Sequence, residues 1–197
     1  MPVFVKQRLL STLGLSAAVL SCAVLAPPAL ARSHRHRGCA HAGAAVGSIS
    51  RQALKRAVVC LVNQQRRERG LPALRENKRL DRSAQGWTNT MVRHDSFTHG
   101  SNFAARISAV GFDWSAAGEN IATGFSTPRQ VVAAWMASAG HCQNILSPQF
   151  SQLGTGVDRK GVRGYGGPST WTQDFALPMG ARAPSHNSGP ADGCPYG

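Results

Sequence analysis

Apolar residues recur along this chain with two periods, first helical and later alternating. Over 50–69, Leu54, Val58, Leu61 and Val62 repeat at helical spacing and Gly70 follows as a terminator. Over 77–94, Leu80, Ala84, Trp87 and Met91 step by four, three and four, one buried helix face. A shorter helix over 102–110 carries Phe103, Ile107 and Val110. Residues 118–123 lie between Gly118 and Gly124 and read as a strand. Thr127 followed by Pro128 is a helix start, a hydroxyl cap with proline at the first helical position. Val131, Val132, Trp135 and Met136 form that helix's stripe, Gly140 stops it, and a helical turn over 141–146 follows. The period then drops to two. Leu153, Thr155 and Val157 alternate within 152–159, and Trp171, Gln173 and Phe175 within 169–177, a hairpin with a long Gly-rich loop over 161–168.

This order, helices, strand, helix and two strands, predicts an α+β fold with a mixed or antiparallel sheet covered by helices. Trp87, Trp135, Trp171 and Phe175 are expected in its core. Asn63 and Arg66 stand among charged neighbours, so exposure is expected of both, although Asn is a poor mid-helix residue unless bonded. Leu74 is expected to pack on the core from a loop. Linear dimensions bring two polar residues together. About five strand residues travel roughly 16 Å, and about twelve helix residues travel roughly 18 Å. A helix folded back along the strand therefore returns His141 to the neighbourhood of Glu119.

The first 31 residues change the picture of the compartment. Lys6 and Arg8 precede an apolar run, and Ala29-Leu30-Ala31 is a small-x-small cleavage pattern, so 1–31 read as a secretory signal cleaved after Ala31. A rival reading takes Cys22 as the acylated cysteine of a lipoprotein. No other run is long and apolar enough to span a membrane. With the signal gone, the 22 Lys and Arg lose Lys6 and Arg8, leaving 20 against 9 Asp and Glu, a formal +11. Such charge fits anionic cell-envelope polymers or lipid head groups as partners, or simply a solvated surface. No nucleic-acid motif accompanies the arginines.

Four cysteines remain, an even count that suits two disulfides in an exported chain. Cys60 and Cys142 lie inside the domain and Cys39 and Cys194 in the flanks, so Cys60–Cys142 and Cys39–Cys194 are the expected pairs. No cysteine spacing matches a zinc ribbon. Residues 32–49 read as a basic linker containing Ser33-His34-Arg35-His36 and His41, 50–177 as the domain, and 178–197 as a Pro/Gly-rich tail without regular structure. Cleavage after Ala31 would leave Arg32-Ser33-His34 at the amino terminus, a square-planar chelator for Cu²⁺ or Ni²⁺.

A series of short motifs completes the reading. Asn63-x-x-Arg66, Phe97-Thr98-His99, Gly118-Glu119-Asn120-Ile121-Ala122, Trp135-Met136-x-Ser138-x-Gly140-His141, Asn144-Ile145-Leu146, and Leu153-Gly154-x-Gly156-Val157 before Trp171-Thr172-Gln173 occur in that order. In this the chain resembles bacterial members of the CAP superfamily, the SCP-like extracellular proteins that include cysteine-rich secretory, antigen 5 and plant pathogenesis-related class-one proteins. The resemblance covers about residues 57–177. It implies a three-layer α-β-α sandwich and a surface cavity built from two histidines and two acidic residues. His99, Glu119 and His141 match three of the four, while the fourth position holds Ser138.

Two His and one Glu suit Zn²⁺ with an open fourth position. They equally suit a hydrogen-bonded set that anchors the surrounding loops. There is no HExxH pair. A Ser138–His141 nucleophile would need an orienting acid and an oxyanion hole; Ser138 otherwise reads as a helix C-terminal residue bonding its own backbone. Cys142 reads as bridged rather than nucleophilic. The expected function is a secreted, non-catalytic binding module for a lipid or sterol, a metal or a cell-envelope ligand. A metal-dependent, peptidase-like hydrolase at His99, Glu119 and His141 is one alternative, and an electrostatically wall-associated basic protein another.

Overall fold

The computed structural model describes residues 38–183 and 193–195. The signal segment with its Ala31 cleavage site, Cys22, and the metal-chelating residues His34 and His36 lie outside the described residues.

The elements are α1 (Arg51–Glu68), β1 (Arg75–Glu76), α2 (Lys78–Arg93), α3 (Phe103–Ala109), β2 (Trp114–Thr123), α4 (Pro128–Met136), α5 (Ala139–Leu146), β3 (Gln152–Asp158) and β4 (Thr170–Pro178). The strands form one sheet in the order β1-β3-β4-β2. β1 runs parallel to β3, and β4 is antiparallel to both β3 and β2. The fold is therefore α+β, and helices on both faces make it a three-layer α-β-α sandwich.

Period-two alternation sorts the strand residues by face. Leu153, Val157, Trp171 and Phe175 point to one side, where they join Val58 and Val62 of α1, Val131 and Trp135 of α4, and Ile145 of α5 in a single cluster. Burying each such side chain contributes roughly 1.5–3 kcal/mol. Gly154 and Gly156 face the other side, where α2 lies so close that a Cβ on Gly154 would collide with the Leu80–Asp81 backbone. The helices begin where hydroxyl or amide caps stand. Ser50 accepts from the Ala53 N–H, Asn77 from Arg79 and Leu80, and Thr127 from Gln130.

Several expectations need correction. α4 ends at Met136, and Gly140 lies inside α5 rather than stopping α4. Ser138 is the N-cap residue of α5, in extended backbone and without a side-chain cap bond, not the last residue of a helix. β2 begins at Trp114 and runs through Gly118. Trp87 is only partly buried, and Thr88 takes the covered position beside it. Asn63 and Arg66 are buried, not exposed. Asn63 donates to the Leu74 carbonyl at 2.9 Å and accepts from the Leu74 N–H at 2.7 Å. Arg66 donates to the carbonyls of Pro72, Ile145 and Ser147. Both thus satisfy loop backbone that has no ladder of its own, and Leu74 is held on the core as expected.

The disulfides are Cys39–Cys60 and Cys142–Cys194, not the expected pairs. Each domain cysteine is joined to a flank because the flanks fold back. Within the expected linker, Ala42 and Val46 enter the core. The Val46 N–H donates to the Ser126 carbonyl, and the Arg129 N–H to the Ala42 carbonyl, which sets Cys39 against α1. By loop length alone the two bonds contribute about 3 and about 4 kcal/mol.

Candidate functional site

β2 is an edge strand, and the site is built on both of its faces. Glu119 stands opposite Asp174 of β4, on the α2/α3 side, and Asn120 stands opposite Gln173, on the α5 side. Gly118, just before them, permits close approach; a Cβ there would meet the Asn144 amide oxygen at 2.9 Å and the Phe150 ring at 2.9 Å. Asn144 of α5 then donates to the Glu119 carbonyl at 3.1 Å and to the Asn120 amide oxygen at 2.9 Å. Asn120 donates to the His141 carbonyl at 3.1 Å and to Gln173 at 3.2 Å. This amide ladder fixes the first turn of α5, and with it His141, against the strand.

On the opposite face Glu119 is sealed. Its side chain is 1% exposed. One carboxylate oxygen lies 2.8 Å from Nδ1 of His99, and the other accepts from the Arg106 guanidinium. Arg106 also donates to the His99 carbonyl at 3.0 Å and stacks 3.8 Å from the Trp87 ring centroid. Trp87 in turn donates to the Thr98 carbonyl at 3.0 Å. The 97–99 loop is thus clamped from α2 and α3 together. Asp174, directly beside Glu119, is 1% exposed, and neither of its oxygens meets a hydrogen-bond partner. Burial, and then the charge of Glu119, push the Asp174 carboxyl well above the usual carboxylate range. Burial, and then the charge of His99, hold the His141 imidazole below its ordinary value.

His99 and Glu119 are therefore bonded, and His141 lies close enough to feel His99. Ser138 and His141 line a pocket of about 270 Å³ that wraps the β2 edge. Its other walls are mostly apolar, with Ile121, Phe125, Trp135 and the Phe97–Tyr165 pair, whose rings are 4.9 Å apart. No hydrogen bond joins the Ser138 hydroxyl to His141 among the described residues. Glu119 does not fit a zinc ligand as arranged. Both its oxygens are engaged, one of them by a permanent cation that would repel a metal ion. Nδ1 of His99 is bonded to Glu119, which leaves Nε2 as its remaining ring nitrogen. Among the described residues, no group of three or more His, Cys, Asp or Glu side chains is placed to hold an ion.

Arg106 and Asp174 were not anticipated. Arg106 carries no sequence signal among so many arginines. Asp174 does carry one, since an acid in the middle of an otherwise apolar and hydroxylated strand, buried on both faces, requires a reason.

With this geometry in place, comparison with known proteins is informative. The family model for the cysteine-rich secretory protein family, CAP, matches residues 59–175. The uncharacterized protein YkwD of Bacillus subtilis is 39% identical over 137 residues, covering 67% of this chain and 49% of that protein. The uncharacterized membrane protein YlbC of the same organism is 31% identical over 107 residues, covering 52% of this chain and 31% of its own length. The chain thus spans about half of the first relative and under a third of the second. An extracellular SCP-domain protein from Bacillus anthracis superposes with a TM-score of 0.55 at 25% identity, covering 65% of this chain and 44% of that one. An outer surface protein from Borrelia burgdorferi gives 0.56 at 17% identity, covering 62% and 90%, a likeness of fold alone.

Proposed function

The chain belongs to the CAP, or cysteine-rich secretory protein, family, and from that premise we propose that it is an extracellular binding module that takes a short acyl chain or similar small amphiphile over the β2 edge. The observation that carries this reading is the contrast at that edge. The acidic residue is closed off by Arg106 and His99, while the accessible cavity beside it is walled by Phe97, Ile121, Phe125, Trp135 and Tyr165. Its polar groups, Ser138 and His141, suit the head of an amphiphile whose tail lies on the aromatic walls. A volume of about 270 Å³ falls just under the roughly 300 Å³ lower end of drug-sized sites, which favours a short chain over a whole sterol.

A metal-dependent hydrolase at His99, Glu119 and His141 is disfavoured by the guanidinium on Glu119. The +11 charge of the mature chain supports association with anionic envelope polymers as the means of holding such a module in place. Titration calorimetry with decanoate tests the reading. Saturable binding is expected in the parent protein and its loss in Ala134→Phe, which fills the pocket from α4 without touching the core. Unchanged binding in a normally melting Ala134→Phe variant would overturn it.

A further inference from the structure

The pocket at the β2 edge is walled by side chains, but its floor is main chain. Ile121 and Ala122 are neighbours on β2, so their side chains leave opposite faces of the sheet. Ile121 joins Met91 and Val162 on the α2 side, and Ala122 joins Trp135 on the α4 side. Both residues nevertheless line the one pocket, together with Thr123. A cavity reached from both faces of a strand lies on the strand's edge, and the backbone between those side chains faces into it.

The ladder decides which backbone groups point outward. In an antiparallel pair, opposite residues alternate between exchanging both N–H···O bonds and exchanging none. On β3, the N–H groups of Thr155 and Val157 are taken by Asp81 and Gln85 of α2, so these two residues face away from β4. Gly154 and Gly156 therefore bond to β4, at Asp174 and Thr172. That leaves Gln173 and Trp171 to bond to Asn120 and Ala122 of β2. The Gly124 N–H continues the alternation, donating to the Ser169 carbonyl at 2.8 Å. Glu119, Ile121 and Thr123 thus turn their own N–H and C=O groups away from the sheet. Helix side chains already satisfy two of the outward carbonyls. Asn144 donates to that of Glu119 at 3.1 Å, and Trp135 Nε1 to that of Ile121 at 3.2 Å. The Ile121 N–H and both backbone groups of Thr123 meet no protein partner among the described residues.

Two donors and one acceptor at strand spacing, beside aromatic walls, select the head of the ligand. A carboxylate head would satisfy the donors and leave the Thr123 carbonyl without a donor. Added main chain satisfies all three. We infer that the pocket takes an N-acylated peptide, its first residue exchanging both backbone bonds with Thr123, a later carbonyl accepting from the Ile121 N–H, and its acyl chain lying on the aromatic walls. This inference rests on the acyl-chain reading of the pocket and adds the chemistry of the head. An antiparallel course sends the amino end of the peptide, and so the acyl chain, past Thr123 toward Phe125.

The test is calorimetric titration with N-decanoyl-trialanine amide and with its analogue in which an ester oxygen replaces the first amide N–H. The amide should bind saturably and at least about tenfold more tightly than the ester, which offers nothing to the Thr123 carbonyl. In ¹⁵N-labelled protein the amide protons of Ile121 and Thr123 should move downfield and gain protection from exchange on saturation with the amide ligand. Ala134→Phe should abolish binding of both ligands. Equal affinity for amide and ester would overturn the inference, and so would binding that leaves the Ile121 and Thr123 amide protons unmoved. Saturable decanoate binding alongside either result would leave the acyl-chain reading standing, whereas no binding of decanoate or of either decanoyl peptide would overturn both.

Discussion

The two faces of this sheet are covered by different amounts of helix, three helices on one and two on the other, and are filled by different means. Toward α1, α4 and α5 the apolar side chains merge into one cluster, from Val58 through Trp135 to Phe175. Of the polar groups admitted there, Asn63, Arg66, Asn120 and Asn144 are bonded to backbone carbonyls or to one another, while the Thr155 hydroxyl and the Gln173 amide nitrogen have no partner among the described residues. Toward α2 and α3 the apolar residues form two small clusters, one around Leu80 and Ile107 and one around Met91 and Ile121. Between them run Ser83, Thr88, Thr172, Asp174 and Glu119, all buried. The first face is where the fold draws its stability. The second gives up apolar continuity to hold charge at a fixed place.

Substitutions sharpen that division. Trp171→Ala, on the apolar face, should cost about 3–5 kcal/mol in urea unfolding; a loss below about 1 kcal/mol would break the comparison. Arg106→Gln, on the charged face, should cost about 1.5–3 kcal/mol by removing the charged bond to Glu119. Adding Glu119→Gln to it should restore part of that loss, and an Arg106→Gln protein of parental stability would show Glu119 to be unsealed. Gly154→Ala should cost about 1–3 kcal/mol by overpacking against α2, readable in the same unfolding curves.

The last effect is the most specific, because it appears as a slope. The Asp174 carboxyl is raised in the folded state, so its contribution to stability is full below the ordinary carboxylate pKa and is lost as pH rises through the raised folded value. Asp174→Asn does not titrate. Its stability relative to the parent should therefore improve steadily from mildly acid to mildly alkaline pH, and a parallel pair of pH–stability curves would refute the assignment. His141 works in the opposite sense. Its folded value is lowered, so its contribution is lost as pH falls, and His141→Gln should flatten the acid side of the curve.

Much of the apolar face was legible because periodicity reports burial. The helical stripes of α1 and α4 and the alternation in β3 and β4 name just over half of the residues of the main cluster. The motifs carrying the family resemblance placed His99 and Glu119 together, as the 2.8 Å contact shows. What escaped was set by long-range partners. β1 is too short to alternate. Arg66 is buried because three carbonyls await it, and nothing in a helical stripe announces that. The disulfide pairing was misread because the flanks were taken as free, whereas Ala42 and Val46 dock the first and Cys194 packs against the main cluster from the second. Arg106 acts through Trp87 and Glu119, which lie 19 and 13 positions away in the chain.

The cross-links carry one further consequence. Each ties an end of the chain to a helix, and neither joins one helical layer to the other or fixes a strand register. Oxidation is therefore a fastening step rather than a guiding one. The sandwich takes its register from its apolar pattern and is buttoned at both ends, and returning the thiols to the reduced state would undo those hems at a cost of about 3 and about 4 kcal/mol by loop length.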